Sequence, residues 1–200
     1  MSNNFSESVD TPEGPHSAAR LLRDWVIVVV LALGAAMLVR LYVLQQFYIS
    51  GPSMEMTLME NDRVLVNKMS YRLHDIHRGD IVVFDRVTIN GQQVEHTDLI
   101  KRVIGVENDT VEIQKCKVLV NGSVIAEPYL DKDVLALPTP EDVCRIPDMK
   151  KVTVPKKQVF VMGDNRAQSF DSRNFGSVPV NLVVGRAFAV VWPFGSIRGL

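Results

Sequence analysis

A long uncharged run near the N-terminus limits what this chain can fold into. From Trp25 to Val39 the sequence has no charged residue, and the apolar stretch continues to Leu44 with Arg40 as its one interruption. A helix of about 20 residues rises about 30 Å, which matches the hydrocarbon core of a bilayer. Arg40 lies near one end of the run, from which its long side chain can reach the interface. The sequence therefore predicts one transmembrane helix, which we assign to residues 23–46.

The apolar run is also compatible with two other interpretations. A core helix of a soluble protein is disfavoured, because such helices are usually polar on one face. A cleaved signal peptide also has basic residues before an apolar run. The small residues Gly34, Ala35 and Ala36 lie in the middle of the run, however, and the apolar sequence continues well beyond them. An uncleaved, single span is favoured.

The segments that flank the span predict its orientation. Residues 1–22 are polar and rich in Ser, Asn, Pro and Gly, which predicts a disordered tail. Arg20 and Arg23 precede the span, and the next basic residue after Arg40 is Arg63. Basic residues favour the cytoplasmic side, so the tail is expected in the cytoplasm and residues 47–200 outside it.

The predicted extracytoplasmic part has the pattern of a β-protein. Short segments rich in Val, Ile and Phe alternate with turn signals such as Asn90-Gly91 and Asn121-Gly122, and no long helical pattern intervenes. One mainly β domain is expected, an antiparallel sheet or barrel-like fold. The 22 basic residues against 23 acidic ones leave a formal charge of −1, which gives no indication of nucleic-acid binding.

Ser53 follows the apolar run in the stretch ISGPSMEMTL (49–58). Gly-Pro-Ser is ordinary turn chemistry, so Ser53 acts as a nucleophile only if a base is available to it. Histidine is the usual base. His16 lies in the tail, whereas His74, His77 and His96 lie in polar stretches typical of solvated loops. A Ser-His-Asp site is therefore weakly supported.

Lys101 offers a different base. In the predicted strand DLIKRVIGV, alternation places Lys101 on the same face as Leu99 and Val103. A strand lysine usually lies at a solvated edge, but burial among apolar neighbours disfavours its charged form and lowers its pKa. A neutral lysine could then deprotonate a serine.

A third stretch, VMGDNRAQSFDSRNFGSVP (161–179), surrounds Ser169 with two acid–arginine sets. Asp164 and Arg166 precede this serine, and Asp171 and Arg173 follow it. A charged loop is normally only solvated. So many side chains able to fix one another nevertheless suggest a scaffold around a site.

These stretches together resemble the type I signal peptidases, in the branch with a single membrane span. The matching motifs are SMEMTL (53–58), RGDIVVF (78–84), KRVIGV (101–106) and GDNRAQSFDSR (163–173). Each is weak alone, but four in the family's order are specific. The resemblance implies a membrane-bound serine endopeptidase without cofactor or metal, which removes signal peptides from exported preproteins. The implied partners are these preproteins and membrane lipid.

The resemblance also implies residue roles. Ser53 would be the nucleophile, Lys101 the general base, and Ser169 a group that orients the lysine. Asp164 with Arg102, and Asp171 with Arg173, would brace the site as ion pairs. The positions near the family's pockets for small substrate residues are Ile49, Met54, Leu58 and Ile100, although core packing is an equally good interpretation of any one of them.

Some positions depart from the family pattern, and some questions stay open. Met56 stands where the family usually has proline, and Glu107-Asn108 replaces a usual Pro-Gly. A paralogue with narrow substrates, such as pilin-like precursors, and a catalytically silent binding domain are therefore retained as alternatives. Sequence does not decide whether Cys116 and Cys144 form a disulfide, nor the oligomeric state.

Overall fold

A computed structural model describes residues 18–91, 93–132, 139 and 143–200. The first element is helix α1 (Ala18–Tyr42), whose stretch Arg20–Arg40 is long and apolar enough to cross a membrane. Residues 1–17 of the predicted tail lie outside the described residues. Residues 18–22, also assigned to the tail, are helical, because Ala, Leu and Arg are strong helix formers. Residues 44–46, assigned to the span, already belong to a strand.

The rest of the described chain is built mainly of short strands. Two one-turn helices interrupt them, α2 (Ser70–Leu73) and α3 (Ser172–Phe175). The strands are β1 (Leu44–Tyr48), β2 (Arg63–Asn67), β3 (Ile81–Asn90), β4 (Gln93–Gly105), β5 (Thr110–Gln114), β6 (Lys117–Val120), β7 (Ser123–Val124), β8 (Met149–Thr153), β9 (Gln158–Met162), β10 (Val178–Pro179), β11 (Val183–Trp192) and β12 (Arg198–Gly199).

These strands form two sheets. The larger has the order β1-β2-β11-β3-β4-β9-β10, with β12 pairing β11, and the smaller has the order β7-β6-β5-β8. Every recorded strand pair is antiparallel. The prediction of a mainly β, antiparallel fold after one apolar helix is confirmed. The order of the larger sheet is an open path from β1 to β10 and not a closed ring.

The predicted hairpin turn at Asn90-Gly91 lies at the end of the longest strand pair. Strands β3 and β4 run antiparallel, with Ile81 opposite Arg102 and Asn90 opposite Gln93. The stretch RVLVNKMSYRL (63–73) is extended only to Asn67 and then forms α2. The Asn67 side chain accepts a hydrogen bond from the Met69 N–H, which favours a turn over a continued strand.

Apolar side chains pack against both faces of the sheet at the second half of β4. Val103 belongs to a cluster with Val82 and Phe84, whereas Ile104 packs in another cluster with Phe160. Residues 101–105 are consequently all buried. This packing takes Lys101 out of water, and it is the feature of the fold that matters most for the site.

A disulfide joins Cys116 and Cys144, which settles the question left open by the sequence. Their Cα atoms are 5.8 Å apart and their sequence separation is 28 residues. Cys116 lies in the turn between β5 and β6 of the smaller sheet, and Cys144 precedes β8. The bond therefore ties the segment before β8 to that sheet.

Candidate active site

Ser53 lies on a short 3-10 turn, Pro52–Met54, whose neighbours fix it in the core. The side chains of Met54 and Leu58 are fully buried, and the Leu58 N–H donates to the Met54 carbonyl at 2.8 Å. Gly51 has φ +88°, a conformation that favours glycine, and it turns the chain just before Ser53. The candidate nucleophile is thus held on a well-anchored turn.

Lys101 comes to this turn from β4. Its side chain is 2 % exposed, and its Nζ lies 2.7 Å from Ser53 Oγ while donating to the Ile100 carbonyl at 2.8 Å. Burial lowers the pKa of Lys101 to about 8, although the negative charges of Asp171 and Asp164 act in the opposite direction. The structure therefore brings the two residues together with the lysine in a setting where it can be neutral.

The predicted pair between Arg102 and Asp164 is present and buried. Arg102 donates from Nε at 2.8 Å and from Nη2 at 2.6 Å to the two carboxylate oxygens, which is a bidentate arrangement. The Thr57 hydroxyl donates to the same carboxylate at 2.5 Å. Three segments, the turn after Ser53, the strand of Lys101 and the loop of Asp164, are thereby joined.

The predicted pair between Arg173 and Asp171 is present as well. Both of its charge-assisted bonds measure 2.8 Å, and Asp171 also accepts from the Gly163 N–H at 3.0 Å. Burial alone would raise the pKa of Asp171, but the bonds and charge of Arg173 outweigh it, and the net shift is downward. Because Asp171 also caps α3, this carboxylate fixes both ends of the loop.

Gly163 lies between Ser53 and Ser169. A Cβ atom at this position would lie 2.3 Å from the Ser53 carbonyl oxygen and 2.3 Å from Ser169 Oγ, so only glycine fits. Ser169 is fully buried. Its hydroxyl makes no hydrogen bond of normal geometry with any residue that the structure describes, although it is close enough to Asp171 to influence its charge. Ser169 makes no hydrogen bond to Lys101 among the described residues, and its implied role of orienting the lysine stays a prediction.

The four predicted pocket residues lie together in one hydrophobic cluster. Met54 and Leu58 are fully buried and Ile49 is 3 % exposed, and their packing anchors the turn. Their predicted place near the pockets for small substrate residues stays a prediction. Ile100 is half-buried and remains accessible.

The two departures from the family pattern have left-handed backbones. Met56 has φ +90° and Asn108 has φ +67°. Asparagine tolerates this region, as the sequence suggested, whereas proline cannot adopt it. Met56 also contributes its sulfur, which accepts from the Asp131 N–H at 3.4 Å. The turn after Ser53 therefore differs in its backbone from one built around proline.

Sequence reasoning missed a group beside the site. Glu127 forms a largely buried ion pair with Arg166, and Tyr129 lies with its ring 3.9 Å from the Arg102 guanidinium. The sequence indicated Arg166 as part of an acid–arginine set, but it did not predict the contact of Arg166 with Glu127. Glu-Pro-Tyr is ordinary loop sequence, and its one signal is an aromatic residue in a polar stretch.

His96, the other predicted base candidate in a strand, makes a different contact. Its Nδ1 lies 2.6 Å from Asp85 Oδ2, on the exposed part of the β3–β4 hairpin. The structure thus pairs His96 with an acid, while it pairs Ser53 with Lys101.

Comparison with known proteins gives a family and several relatives. Residues 22–192 match the family described as signal peptidase, peptidase S26. A probable signal peptidase I-2 of Synechocystis sp. is 40% identical over 171 residues, which is 86% of this chain and 72% of that protein. Signal peptidase I of Bacillus amyloliquefaciens is 37% identical over 179 residues, covering 88% of each chain.

A crystal structure of a signal peptidase I from Enterococcus faecalis V583 is also similar. It is 30% identical, with 56% of this chain and 97% of that chain covered and a TM-score of 0.46. The family match and the single apolar helix support a membrane-anchored protein. The match extends over most of the chain and includes all the segments that form the site. The chain therefore belongs to the signal peptidase family, peptidase S26, whose members are serine endopeptidases.

Proposed function

We propose that this protein removes N-terminal signal peptides from exported preproteins, with Ser53 as nucleophile and Lys101 as general base. The family membership supports the reaction and the substrate class. The observation that carries the residue assignment is the 2.7 Å approach of Lys101 Nζ to Ser53 Oγ at a lysine whose pKa is lowered to about 8. Buried lysines of this kind can act as bases near neutral pH.

In the first half of the reaction, neutral Lys101 takes the proton of the Ser53 hydroxyl as Oγ attacks the scissile carbonyl carbon. The resulting oxyanion is stabilised by the backbone N–H of Ser53. The Lys101 ammonium then donates its proton to the departing amine, and the mature protein leaves. The signal peptide remains bound to Ser53 as an ester.

In the second half, Lys101 takes a proton from a water molecule that attacks this ester. Collapse of the second tetrahedral intermediate returns the proton to Ser53 Oγ and releases the signal peptide. The lysine is neutral at the start of each half, so both halves need the same dry environment. The supporting pairs, Arg102–Asp164 and Arg173–Asp171, hold the segments that create it.

Ser169 has a proposed role beside Lys101. A lysine amine has three N–H donors when charged, and the bonds to Ser53 and Ile100 account for two of them. The buried Ser169 hydroxyl, without a partner of its own among the described residues, is a suitable acceptor for the third. We infer that this bond forms when Lys101 becomes an ammonium during the reaction.

The preprotein is expected to bind as an extended segment beside the site. Main-chain hydrogen bonds to neighbouring extended chain would supply affinity, as in other strand additions. Ile100, directly before the lysine, is the accessible apolar side chain among those predicted to contact small substrate residues.

The orientation that we propose places residues 47–200 outside the cytoplasm and the N-terminus inside it, with α1 as the anchor in the lipid. Arg20 and Arg23 before the apolar run support this orientation through the bias of basic residues toward the cytoplasm. The Cys116–Cys144 disulfide supports it independently, because such bonds persist in oxidising compartments.

The residue assignment is tested by cleavage of a purified preprotein by the wild type, Ser53→Ala and Lys101→Ala in parallel. Both variants should be folded and inactive, since one lacks the attacking atom and the other lacks the base. Circular dichroism and membrane fractionation check that each variant is folded and anchored. Substantial cleavage by either folded variant would contradict the assignment of Ser53 as nucleophile and Lys101 as base.

The orientation is tested with a cysteine introduced at Ser2. A membrane-impermeant thiol reagent should leave it unlabelled in intact spheroplasts and label it once the membrane is opened. A matched variant with a cysteine at Ser123, on an exposed strand of the smaller sheet, should be labelled at once. The opposite labelling pattern would reverse the proposed orientation.

A further inference from the structure

Residues 127–131 contact all three segments that form the site. Glu127 binds Arg166 in the loop of Asp164, Tyr129 covers Arg102 in β4, and the Asp131 N–H donates to Met56 in the turn after Ser53. Met56 lies 75 residues before Asp131 in the sequence, and Arg166 lies 39 residues after Glu127. A short loop that touches each part of a site is in a position to set their mutual distances.

Tyr129 contacts Arg102, the residue that follows the lysine in β4. The Arg102 guanidinium carbon is 3.9 Å from the ring centroid, well within the range of a cation–π interaction. Arg102 follows Lys101 directly, and its other contacts are with Asp164, Thr57 and the Gly79 carbonyl. The ring lies half-buried against this guanidinium, where it limits the access of water to the Arg102–Asp164 pair.

The ring itself is held by the buried ion pair. The Tyr129 hydroxyl donates to Glu127 at 2.9 Å, and burial together with the Glu127 charge raises the pKa of Tyr129, which keeps it a neutral donor. Glu127 binds Arg166 through both carboxylate oxygens, and Arg166 Nε donates to the Gly163 carbonyl at 3.0 Å. The loop therefore connects β4 to the glycine that lies against Ser53.

We propose that Tyr129 is a positioning residue of the peptidase reaction, which acts through the face of its ring on Arg102. The ring stabilises one placement of the guanidinium, and the guanidinium fixes β4 where Lys101 meets Ser53. Tyr129 does not touch the reacting atoms. Because a displacement of about 1 Å at a reacting group can cost about a hundredfold in rate, a modest loosening of this contact is enough to lower kcat.

This inference rests on the proposed Ser53–Lys101 mechanism. The charged groups that act on Lys101 are Asp171 and Asp164 from the loop, and Ser53 faces it from the turn. Loss of the ring admits water beside Arg102. We expect this water to weaken the effect of burial on Lys101, and thus to move the acidic limb of kcat to higher pH.

The experiment uses the full-length protein in detergent with a purified preprotein as substrate. Three variants are compared with the wild type: Tyr129→Phe, trifluorophenylalanine at position 129, and Tyr129→Leu. Phenylalanine keeps the face of the aromatic ring. Fluorination weakens the negative potential of that face while the shape of the side chain stays almost unchanged, and leucine removes the ring. We expect kcat to stay within about threefold for phenylalanine, and to fall about fivefold with fluorination and at least about tenfold with leucine, at unchanged KM.

The acidic limb of kcat should move upward for leucine and stay in place for phenylalanine. Equal kcat values for the phenylalanine and trifluorophenylalanine proteins would overturn the proposal, and this comparison stands even if the leucine variant fails to fold. A loss confined to KM would also overturn it, because the ring would then contact substrate. Ser53→Ala in the same assay separates the two levels: cleavage by this variant would refute the mechanism, not merely the role of Tyr129.

Discussion

The two halves of strand β4 differ in their exposure to water and in the neighbours of the candidate base that each contains. Residues 93–98 are exposed, and their His96 forms a contact with Asp85 in which the histidine side chain is 64% exposed. Residues 101–105 are buried, and Lys101 lies there against Ser53. A histidine beside an aspartate resembles the better-known catalytic arrangement. The half with the less usual base, however, is the half that lies against a serine, Ser53 of the neighbouring turn.

Solvent explains the difference. In the exposed half, water competes for the contact between His96 and Asp85, so this contact contributes little. In the buried half, the removal of water lowers the pKa of a lysine that is normally charged, and it strengthens the ion pairs around it. The environment of a side chain therefore decides its chemistry more than its type does.

Close packing in the buried half gives the largest expected effect. Gly163→Ala would place a methyl group 2.3 Å from the Ser53 carbonyl oxygen, which lies on a turn that cannot give way easily. We expect kcat/KM to fall about a hundredfold or more, with a loss of about 1–3 kcal/mol in the free energy of unfolding. Preprotein cleavage and chemical denaturation measure the two quantities.

Gly195→Ala is the matched control for this change. No atom lies within 4 Å of a Cβ at this position, and its backbone is not left-handed. Activity and stability should be close to those of the wild type. Wild-type cleavage by Gly163→Ala would show that the turn is looser than its packing indicates.

The ion pairs of the two halves should differ next in size. Asp164→Asn leaves Arg102 buried without its counter-charge, which typically costs about 3–5 kcal/mol in the free energy of unfolding. Asp85→Asn breaks the exposed contact with His96 and should cost less than about 1 kcal/mol. Denaturant titration of both variants under the same conditions measures the difference. Similar losses for the two would contradict the role that we assign to burial.

The pH dependence distinguishes the two bases directly. Because the pKa of Lys101 is lowered from 10.5 to about 8, the lysine is mostly protonated and inactive below pH 8 and mostly neutral above it. The rate should thus fall about tenfold per pH unit on the acidic side of about 8. Rate profiles of the wild type and of a variant with His74, His77 and His96 all replaced by glutamine should have the same limb. A folded triple variant without activity would identify a histidine as the base.

The smallest expected effect concerns two buried serines near the site. The hydroxyl of Ser169 makes no hydrogen bond of normal geometry within the described chain, so the free energy of unfolding of Ser169→Ala should stay nearly unchanged. Its kcat should fall severalfold, because the proposed acceptor for Lys101 is lost. Ser172 Oγ instead accepts from the Val161 N–H at 2.9 Å, and Ser172→Ala should cost about 1–3 kcal/mol in stability. Thermal unfolding and steady-state kinetics separate these outcomes. A kcat of Ser169→Ala equal to the wild type would remove that residue from the mechanism.

Much of the fold was predictable because it follows from local patterns. The apolar run predicted α1, and the alternation of Val and Ile with turn residues at Asn90-Gly91 predicted the β3–β4 hairpin. The resemblance to the type I signal peptidases predicted Ser53 and Lys101 as a catalytic pair from their motifs alone. In each of these cases the signal is contained in a short stretch or in a motif.

Other features were hidden because they depend on distant contacts. Alternation placed Lys101 on one apolar face, but the burial of β4 on both faces follows from clusters contributed by other strands. Glu127 and Tyr129 lie in a loop without periodicity, and their partners are far away in the sequence. The full burial of Met54 and Leu58 could not be predicted either, because both side chains are equally apolar in a pocket or in a core.

The left-handed backbone of Met56 has a consequence for protein engineering. A common route to stabilisation replaces an unusual residue by the one that relatives share, which here would be proline. Proline fixes φ near −65°, whereas this position has φ +90°, so the replacement would force the turn after Ser53 to be rebuilt. Glycine is the substitution that this backbone accepts without strain. Consensus design applied to this chain should therefore leave position 56 out of its list.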